Sequence, residues 1–303
     1  MISQNYTEHN ARTIDQWVRD GWEWGKEIDH ETWEKAKQGN WSVLLTPTKP
    51  VPKEWFCTMQ GAKILGLASG GGQQMPIFTA LGAECTVLDY SKEQLKKEEM
   101  VAAREGYEIQ LVQADMTKPL PFDDGSFDLI FHPVSNCYVK DVKPIWKECF
   151  RVLKKGGILL AGFDNGFNYL FTGDDETTIH YSLPFDPLQN QEQYEDCVKH
   201  DDGFQFSHTI EEQIGGQLEA GFILKGIYQD TNGTGFLHEK NVPTFYATKA
   251  IKPYNIVKRV EDGGIYDEEN WIYWMRQYGR SNYRRNYLVW SAEKRRNHGR
   301  RNF

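Results

Sequence analysis

The sequence predicts an α/β fold in which short apolar strands alternate with helices around a mostly parallel sheet. The first observation is a glycine-rich segment, Gly70-Gly71-Gly72, directly after the apolar run Lys63–Leu67. The second is an acid, Asp89, which ends the next apolar run 19 residues after Gly70, near the spacing of about 20 that a nucleotide-binding unit needs. The third is the continued alternation of apolar runs and helical patterns, which is typical of a parallel sheet with helices on both faces.

Residues 61–165 contain most of this alternation. Strands are predicted at Lys63–Leu67, Glu84–Asp89, Ile109–Gln113, Phe127–Phe131 and Ile158–Gly162. Helices are predicted at Gln73–Leu81, Lys92–Glu105 and Val142–Leu153. Ser91, with Gln94 three residues later, predicts a capping box at the start of the second helix. Gly82 and Gly106 are placed to end helices, as glycine often does.

The flanking segments extend the pattern. Before the sheet, Thr13–Lys26 and His30–Lys37 have helical patterns, and three prolines then interrupt any helix. After it, a helix at Ile210–Ala220 precedes strands at Phe222–Tyr228 and Thr244–Ala250, which predict a closing antiparallel hairpin. Residues 166–207 form a polar, aromatic stretch that breaks the alternation.

The glycine-rich segment limits the kind of nucleotide that the fold is expected to bind. A dinucleotide-binding loop needs a third glycine in G-x-G-x-x-G, but Gln73-Gln74-Met75 follows Gly72. A P-loop needs Gly-Lys-Ser/Thr at its end, which is missing here. The remaining option is a nucleoside ligand without a pyrophosphate, and S-adenosylmethionine is such a ligand.

Further motifs appear in a familiar order. Asp115-Met116 follows the third strand, Pro119–Phe131 includes the fourth, and Phe150–Leu160 leads into the fifth. This order resembles class I S-adenosylmethionine-dependent methyltransferases, most closely the small-molecule group that includes the ubiquinone/menaquinone-biosynthesis C-methyltransferases. The resemblance covers residues 60–165 well and 205–250 more loosely. It implies a Rossmann-like, seven-stranded methyltransferase sheet, mostly parallel with a C-terminal antiparallel hairpin.

The resemblance also implies cofactor contacts. Ala68, Gly70 and Gly72 would form the loop under the methionine part of S-adenosylmethionine. Asp89 would hold the ribose, and Asp115 would face the adenine amino group. The other positions expected beside the cofactor are Ser69, Gln73, Tyr90, Met116 and His132.

Two positions depart from the family pattern. Gly66 stands where many relatives carry an acid that helps to hold the methionine amine, which leaves that contact unassigned. Ala68 replaces the first glycine, and its small side chain predicts little disturbance.

The chemistry needs few protein groups, because a sulfonium is a good leaving group and alignment supplies much of the rate. A base is needed only when the acceptor must lose a proton. His132, at the carboxyl end of the fourth strand, is the candidate base, with cofactor or substrate contact and a structural role as alternatives. The side chains predicted to contact the acceptor are Tyr6, Trp41, Asn136, Asn165 and Tyr181.

Composition bounds the remaining possibilities. We expect an N-terminal helical lid (1–60), a methyltransferase domain (61–251) with a substrate cap at 166–207, and an aromatic, basic extension (252–303). The extension holds 12 Lys/Arg and 6 Asp/Glu, whereas residues 1–251 hold 23 and 37. An acidic body does not favour nucleic acid. The five cysteines form no C-x-x-C pair, which suits a reducing cytoplasm and makes a metal site unexpected. We expect no membrane span, and either a monomer or a homodimer.

Three functions stay open from the sequence. The first is a cytoplasmic methyltransferase for a small-molecule acceptor. The second is an RNA methyltransferase that uses the basic extension. The third is a non-catalytic S-adenosylmethionine-binding protein. The extension itself is expected to serve packing or self-association and to be dispensable for cofactor binding.

Overall fold

The computed structural model describes residues 5–172 and 175–254, and the backbone of residues 257–258 and 265–266. Contacts divide the chain into two units, Met1–Lys252 and Pro253–Phe303. In the second unit, Val257–Lys258 pairs antiparallel with Ile265–Tyr266. The other predictions for the extension lie outside the described residues.

The first unit contains a seven-stranded sheet with the strand order β3-β2-β1-β4-β5-β7-β6. Strands β1 to β5 pair in parallel, and β7 runs antiparallel to both β5 and β6. This confirms the predicted fold class. The strands are Lys63–Leu67 (β1), Glu84–Asp89 (β2), Gln110–Gln113 (β3), Phe127–His132 (β4), Leu153–Asp164 (β5), Ile223–Asp230 (β6) and Phe245–Ile251 (β7).

Helices connect these strands and precede them. Two of them, α2 and α4, have the bounds that the sequence predicts. The helices are Tyr6–Arg19 (α1), His30–Lys37 (α2), Gln74–Ala80 (α3), Lys92–Glu105 (α4), Lys143–Val152 (α5), Gln191–His200 (α6), Gly216–Ala220 (α7) and Gly235–Glu239 (α8). None of the helices in the described ranges has the length and apolar character needed to cross a membrane.

A hydrophobic core lies on each face of the sheet. Along β4, Phe131 packs into one core with Phe78, and Ile130 packs into the other with Trp146. All four side chains are fully buried. Because successive residues of a strand point to opposite faces, both faces of β4 are covered, as the continuous apolar run Leu129–Phe131 predicts.

The N-terminal helix is the main error of the sequence prediction. It spans Tyr6–Arg19 rather than Thr13–Lys26. Gly21 has a φ of 91°, a left-handed conformation that an α-helix cannot contain, and a short 3-10 turn follows it at Glu23–Gly25. Residues 20–26 of the predicted helix therefore lie in a turn and a short 3-10 segment instead.

Later elements differ in smaller ways. Strand β5 begins at Leu153, immediately after α5 and five residues before its predicted start at Ile158. A π-helical turn at Glu211–Gly215 precedes α7. The polar stretch contains α6, which the sequence did not reveal because only Gln193 and Cys197 of this helix are buried.

Candidate active site

A cavity of about 250 Å³ lies at the carboxyl ends of β1, β2 and β4, the edge where α/β sheets bind ligands. Its walls come from the loop after β1, the ends of β2 and β3, the loop after β4 and the N-terminal segment. Gly72 and His132 are the two predicted cofactor residues outside these walls. The predicted cofactor residues that line the cavity are Ala68, Ser69, Gly70, Gln73, Asp89, Tyr90, Asp115 and Met116.

The glycine loop (residues 68–73) passes close to the end of β2. The Gly70 N–H donates to Oδ2 of Asp89 at 3.1 Å. A Cβ on Gly70 would lie 3.0 Å from that oxygen and 2.7 Å from Cβ of Gln94, so the position has no room for a side chain. Ala68 has a left-handed φ of 46°, which costs an L-residue roughly 1 kcal/mol. The change from glycine to alanine at this position is therefore less harmless than its small size predicts.

Asp89 lies at the end of β2 with its carboxylate against backbone donors. Besides Gly70, the N–H of Ser91 donates to it, at 2.9 Å to Oδ1. Burial raises the pKa of Asp89 to about 6, although the backbone hydrogen bonds act to lower it. Each carboxylate oxygen can accept a further hydrogen bond, and Asp89 faces the cavity. A ribose diol, with two O–H donors, fits this acceptor.

Asp115 follows β3 and joins the sheet to the N-terminal helix. Its Oδ1 accepts from the backbone N–H and hydroxyl of Thr117 at 2.9 and 2.7 Å. Its Oδ2 accepts from the hydroxyl of Thr7, in α1, at 2.8 Å. Thr7 lines the same cavity. Sequence analysis did not reveal this contact, because a threonine in a polar helix is not distinctive.

A second carboxylate fastens α1 over the cavity. Oδ1 of Asp15 accepts from the hydroxyl of Ser91 at 2.6 Å and from the Glu93 N–H at 3.0 Å. Ser91 also caps α4 as predicted, since its hydroxyl accepts from the Gln94 N–H at 3.2 Å. An acid at a helix N-terminus is favourable, so α1 is held by the unpaired donors of α4.

Helix α1 and the turn after it, residues 20–26, form a roof over the cavity. Trp22 and Trp24 both line the cavity. The Trp24 carbonyl accepts from Nε2 of Gln94 at 3.3 Å, so the Gln94 side chain does not close the predicted capping box. Nε2 of Gln73 donates to two carbonyls of the same segment, at 2.9 and 3.1 Å. The amide of Gln73 therefore binds the roof.

The opposite wall is apolar and was not predicted. The segment 44–47 crosses the sheet so closely that a Cβ on Gly162 would lie 2.0 Å from the Leu45 carbonyl oxygen. That oxygen accepts from the Val134 N–H at 3.3 Å, which joins the segment to the loop after β4. The apolar residues of this wall include Leu44, Leu45, Pro47, Val134, Val139 and Phe245.

His132 is held away from the cavity. It has no exposed surface, and its ring nitrogens lie 2.8 Å from the Leu67 carbonyl (Nδ1) and 2.8 Å from the Asn136 side-chain amide (Nε2). Nδ2 of the same amide donates to Oε1 of Gln213 at 2.9 Å. Burial lowers the pKa of His132, which favours the neutral ring. The Leu67 carbonyl oxygen and Oδ1 of Asn136 are both acceptors, so the neutral ring, with one N–H, donates to only one of them at a time. The geometry fits the structural alternative, because both nitrogens have buried partners and His132 is not among the described residues that line the cavity.

The residues predicted to contact the acceptor lie elsewhere. The Tyr6 hydroxyl accepts from the Lys140 N–H at 3.1 Å, and the Tyr6 ring packs against the cap. Trp41 packs edge-on against Phe56 and Phe78 in a core of the sheet. The described lining of the cavity includes neither of them.

The other three predicted acceptor contacts have structural partners. Asn136 belongs to the His132 network. Asn165 donates from Nδ2 to the Pro243 carbonyl at 2.9 Å. Tyr181 is buried in a small aromatic core of the cap. None of these three is among the described residues that line the cavity, so their predicted role has no support from the geometry.

A buried carboxylate stands behind the glycine loop. Oε1 of Glu98, in α4, accepts from the Gly72 N–H at 2.8 Å, and its other oxygen is buried without a partner. Burial raises the pKa of Glu98 to about 8. Gly72 thus holds the back of the loop and does not face the cavity. No cluster of three or more potential metal ligands occurs in the part of the chain that the structure describes.

Comparison with known proteins agrees with this geometry. The sequence profile of the methyltransferase domain family matches residues 65–161. The chain is 40% identical to the uncharacterized methyltransferase YbaJ of Bacillus subtilis (strain 168), over 80% of this chain and 97% of that protein. It is 35% identical to the demethylmenaquinone methyltransferase of Clavibacter sepedonicus, over 32% of this chain and 39% of that protein.

A solved structure shares the fold. It is an S-adenosylmethionine-dependent methyltransferase from Mesorhizobium loti, with a TM-score of 0.53 and 18% identity, over 66% of this chain and 94% of that chain. The fold and cavity define a nucleoside-binding α/β enzyme. The chain belongs to the S-adenosylmethionine-dependent methyltransferase family, and its cofactor is S-adenosylmethionine.

Proposed function

We propose that this enzyme transfers the cofactor's methyl group to a small-molecule acceptor bound beside the cofactor in the cavity. The observation that carries the proposal is the cavity's two-sided lining. One side has the glycine loop and the carboxylates of Asp89 and Asp115, and the other has the apolar wall of Leu44, Pro47 and Phe245. Helix α1 and its turn close over both sides, which suits an acceptor small enough to be enclosed.

The residues around the cavity fit the cofactor. The absence of a Cβ at Gly70 lets the glycine loop pack directly against Asp89 and Gln94. We assign the ribose to Asp89 because its buried carboxylate keeps free lone pairs on the cavity side. Asp115 and Met116, at the end of β3, are assigned to the adenine. Trp22 and Trp24, in the roof, place aromatic faces where they attract a cation such as the sulfonium.

The bound cofactor supplies an activated methyl group. The protein's part is to align the acceptor with that group and to exclude water. The apolar wall and the roof exclude water, because they shield the bound acceptor from solvent. The tethers Asp15–Ser91 and Thr7–Asp115 hold the roof in place over the aligned molecules.

The test begins with the full-length protein. Calorimetry is expected to show binding of S-adenosylmethionine and S-adenosylhomocysteine. Incubation with methyl-labelled S-adenosylmethionine and a metabolite extract is then expected to label a low-molecular-mass product. Cofactor binding without any labelled product would favour the non-catalytic alternative. Label in RNA instead of small molecules would favour the RNA methyltransferase.

A further inference from the structure

The described cavity wall has a one-sided charge distribution. Its ionisable carboxyl groups are Asp89 and Asp115, and the described residues that line it include no Lys, Arg or His. Aromatic rings from Trp22, Trp24 and Tyr138 also line it. Carboxylates and aromatic faces attract cations and disfavour anions. A phosphate or carboxylate on the acceptor would therefore meet repulsion without a compensating partner among these residues.

A further carboxylate adjoins this wall without a complete set of partners. Asp164, the last residue of β5, is 3% exposed. Its Oδ1 accepts from the Gly166 N–H at 2.9 Å, and its Oδ2 is buried with no hydrogen-bond partner. An unpaired buried polar atom is costly, and an external donor would relieve that cost. Burial raises the pKa of Asp164 to about 6, although the Gly166 N–H and the nearby His208 act to lower it.

Asp164 adjoins the wall through two residues. Its direct partner across the β5–β7 ladder is Phe245, which lines the cavity. Tyr138 also lines the cavity, and the charge of Asp164 acts to raise the Tyr138 pKa, after the larger effects of burial, Cys137 and Asp202. Asp164 thus belongs to the acceptor side of the sheet edge, away from Asp89.

The surroundings of Asp164 are built from the loop after β4 and the end of the cap. The Phe206 N–H donates to the Cys137 carbonyl at 2.7 Å, and Nε2 of His208 lies 3.1 Å from the Asn136 carbonyl. A Cβ on Gly166 would lie 3.7 Å from the His208 carbonyl. The titratable groups whose charges act with that of Asp164 are His208, Cys137, Tyr138 and Tyr169.

We propose that Asp164 binds the methyl acceptor by accepting a hydrogen bond from its N–H or O–H group, and that the acceptor carries no negative charge. The proposal rests on the proposed function. It requires the Tyr138 or Phe245 side chain to move when the acceptor enters, because both residues line the cavity whereas Asp164 does not. The acceptor class is thus an amine or a hydroxyl compound without phosphate or carboxylate. An amine and a hydroxyl offer the same donor to Oδ2.

The first experiment measures binding to the full chain saturated with S-adenosylhomocysteine. The probes are tyramine, 4-cresol and 4-hydroxyphenylacetate, which share a phenol ring and differ in charge. Calorimetry is expected to give at least tenfold weaker binding of 4-hydroxyphenylacetate than of the better of the other two. Asp164→Asn is expected to weaken that better probe at least fivefold and to leave S-adenosylhomocysteine affinity unchanged. Asp128→Asn, near the start of β4 and not among the residues that line the cavity, is the control and should change neither.

The second experiment identifies the acceptor's charge. A metabolite extract is divided on an anion exchanger, and each pool is incubated with methyl-labelled S-adenosylmethionine and the full chain. Label is expected in the unretained pool. A labelled product that then binds a cation exchanger at pH 7 is an amine, and one that does not bind is a methyl ether. Label confined to the anionic pool, or equal labelling by the wild type and Asp164→Asn, would overturn the proposal.

The two experiments separate the failures. If cofactor binds and no pool is labelled, the proposed function fails, and the probe affinities alone decide the role of Asp164. If small molecules are labelled while the three probes bind equally well, the proposed function stands and the acceptor class is wrong. A fold defect in Asp164→Asn would show as a lowered melting temperature. Asp164→Glu, which keeps the carboxylate, should in that case retain the preference against 4-hydroxyphenylacetate.

Discussion

The two halves of the cavity are built by different means. In the cofactor half, carboxylates accept hydrogen bonds from backbone N–H groups of short loops, as Asp89 does from Gly70 and Ser91. In the acceptor half, side chains and segments from distant parts of the chain meet, as the loop after β4 does with residues 206–208. The comparison teaches that the glycine loop and Asp89 of the cofactor half follow from local chain order, whereas the acceptor half depends on tertiary packing.

The largest expected effect concerns the buried acid behind the glycine loop. The pKa of Glu98 is raised from 4.5 to about 8. A raised folded-state pKa means that its stabilising effect is present below pH 4.5 and is lost as pH rises through about 8. Glu98→Gln should therefore raise the unfolding free energy at pH 8, by on the order of 2–5 kcal/mol, and flatten its fall between pH 5 and 8. Thermal melting across this range checks it.

The neighbouring Glu99→Gln is the control for that prediction, because Glu99 is exposed on the same helix. It should leave the pH profile of the wild type intact. If the unfolding free energy of Glu98→Gln still fell steeply with pH, another group would cause the pH dependence, and Glu98 would not.

His132→Ala tests the acceptor half. It leaves the Leu67 carbonyl and the Asn136 amide buried without this partner, so we expect the unfolding free energy to fall by about 2–4 kcal/mol. Cofactor affinity in the fraction that stays folded should change less than threefold. Chemical denaturation and calorimetry measure the two quantities, with the exposed His180→Ala as control. Unchanged stability together with a hundredfold loss of turnover would restore the general-base hypothesis.

Asp89→Ala tests the cofactor half directly. Hydrogen bonds to a charged group contribute roughly 1.5–3 kcal/mol, so affinity for S-adenosylhomocysteine should fall about tenfold or more. Gly70→Ala should also weaken binding, because its Cβ would press on the Asp89 carboxylate. Asp123→Ala, at an exposed acid, should leave calorimetric affinity unchanged. Equal affinities for Asp89→Ala and Asp123→Ala would remove Asp89 from the site.

Asp15→Ala tests the roof that both halves share. Loss of its contact with the first turn of α4 should cost about 0.5–2 kcal/mol of stability. If α1 encloses the ligand, S-adenosylhomocysteine should also dissociate faster, which stopped-flow tryptophan fluorescence measures. Asp20→Ala, which follows α1 and contacts only Gln16 among the side chains described, is the control. An unchanged dissociation rate would show that the Asp15 contact of α1 does not limit release of the ligand.

The smallest effect is expected from removing the extension. The first unit ends at Lys252, whose backbone pairs with Gly156 and Gly157 at 2.7 and 2.9 Å. A chain ending after Lys252 should bind S-adenosylhomocysteine within about twofold of the full chain by calorimetry, since a difference of 0.4 kcal/mol corresponds to roughly that factor. A larger loss of affinity would mean that residues 253–303 contribute to the cofactor half.

Sequence reasoning succeeded for the elements and loops that are set by the order of residues along the chain. The bounds of β1, β2 and α4 are those predicted, and the glycine loop lies between β1 and α3. Ser91 caps α4 because the loop after a strand must supply the first acceptor for the next helix. Even so, it could not show that Ala68 is left-handed or that Gln94 binds Trp24, since both depend on what packs nearby.

The sequence by itself determined the strands that build the sheet, the glycine loop, the acid that ends β2 and the acid that follows β3. These features are local, because a parallel sheet brings the ends of its strands to one edge whatever covers them. Only the tertiary structure decided that Thr7 and Asp15 hold the roof, that Leu45 crosses β5, and that His132 turns away from the cavity while Asp164 adjoins its wall. Those placements depend on segments far apart in the chain, whose packing no short pattern encodes.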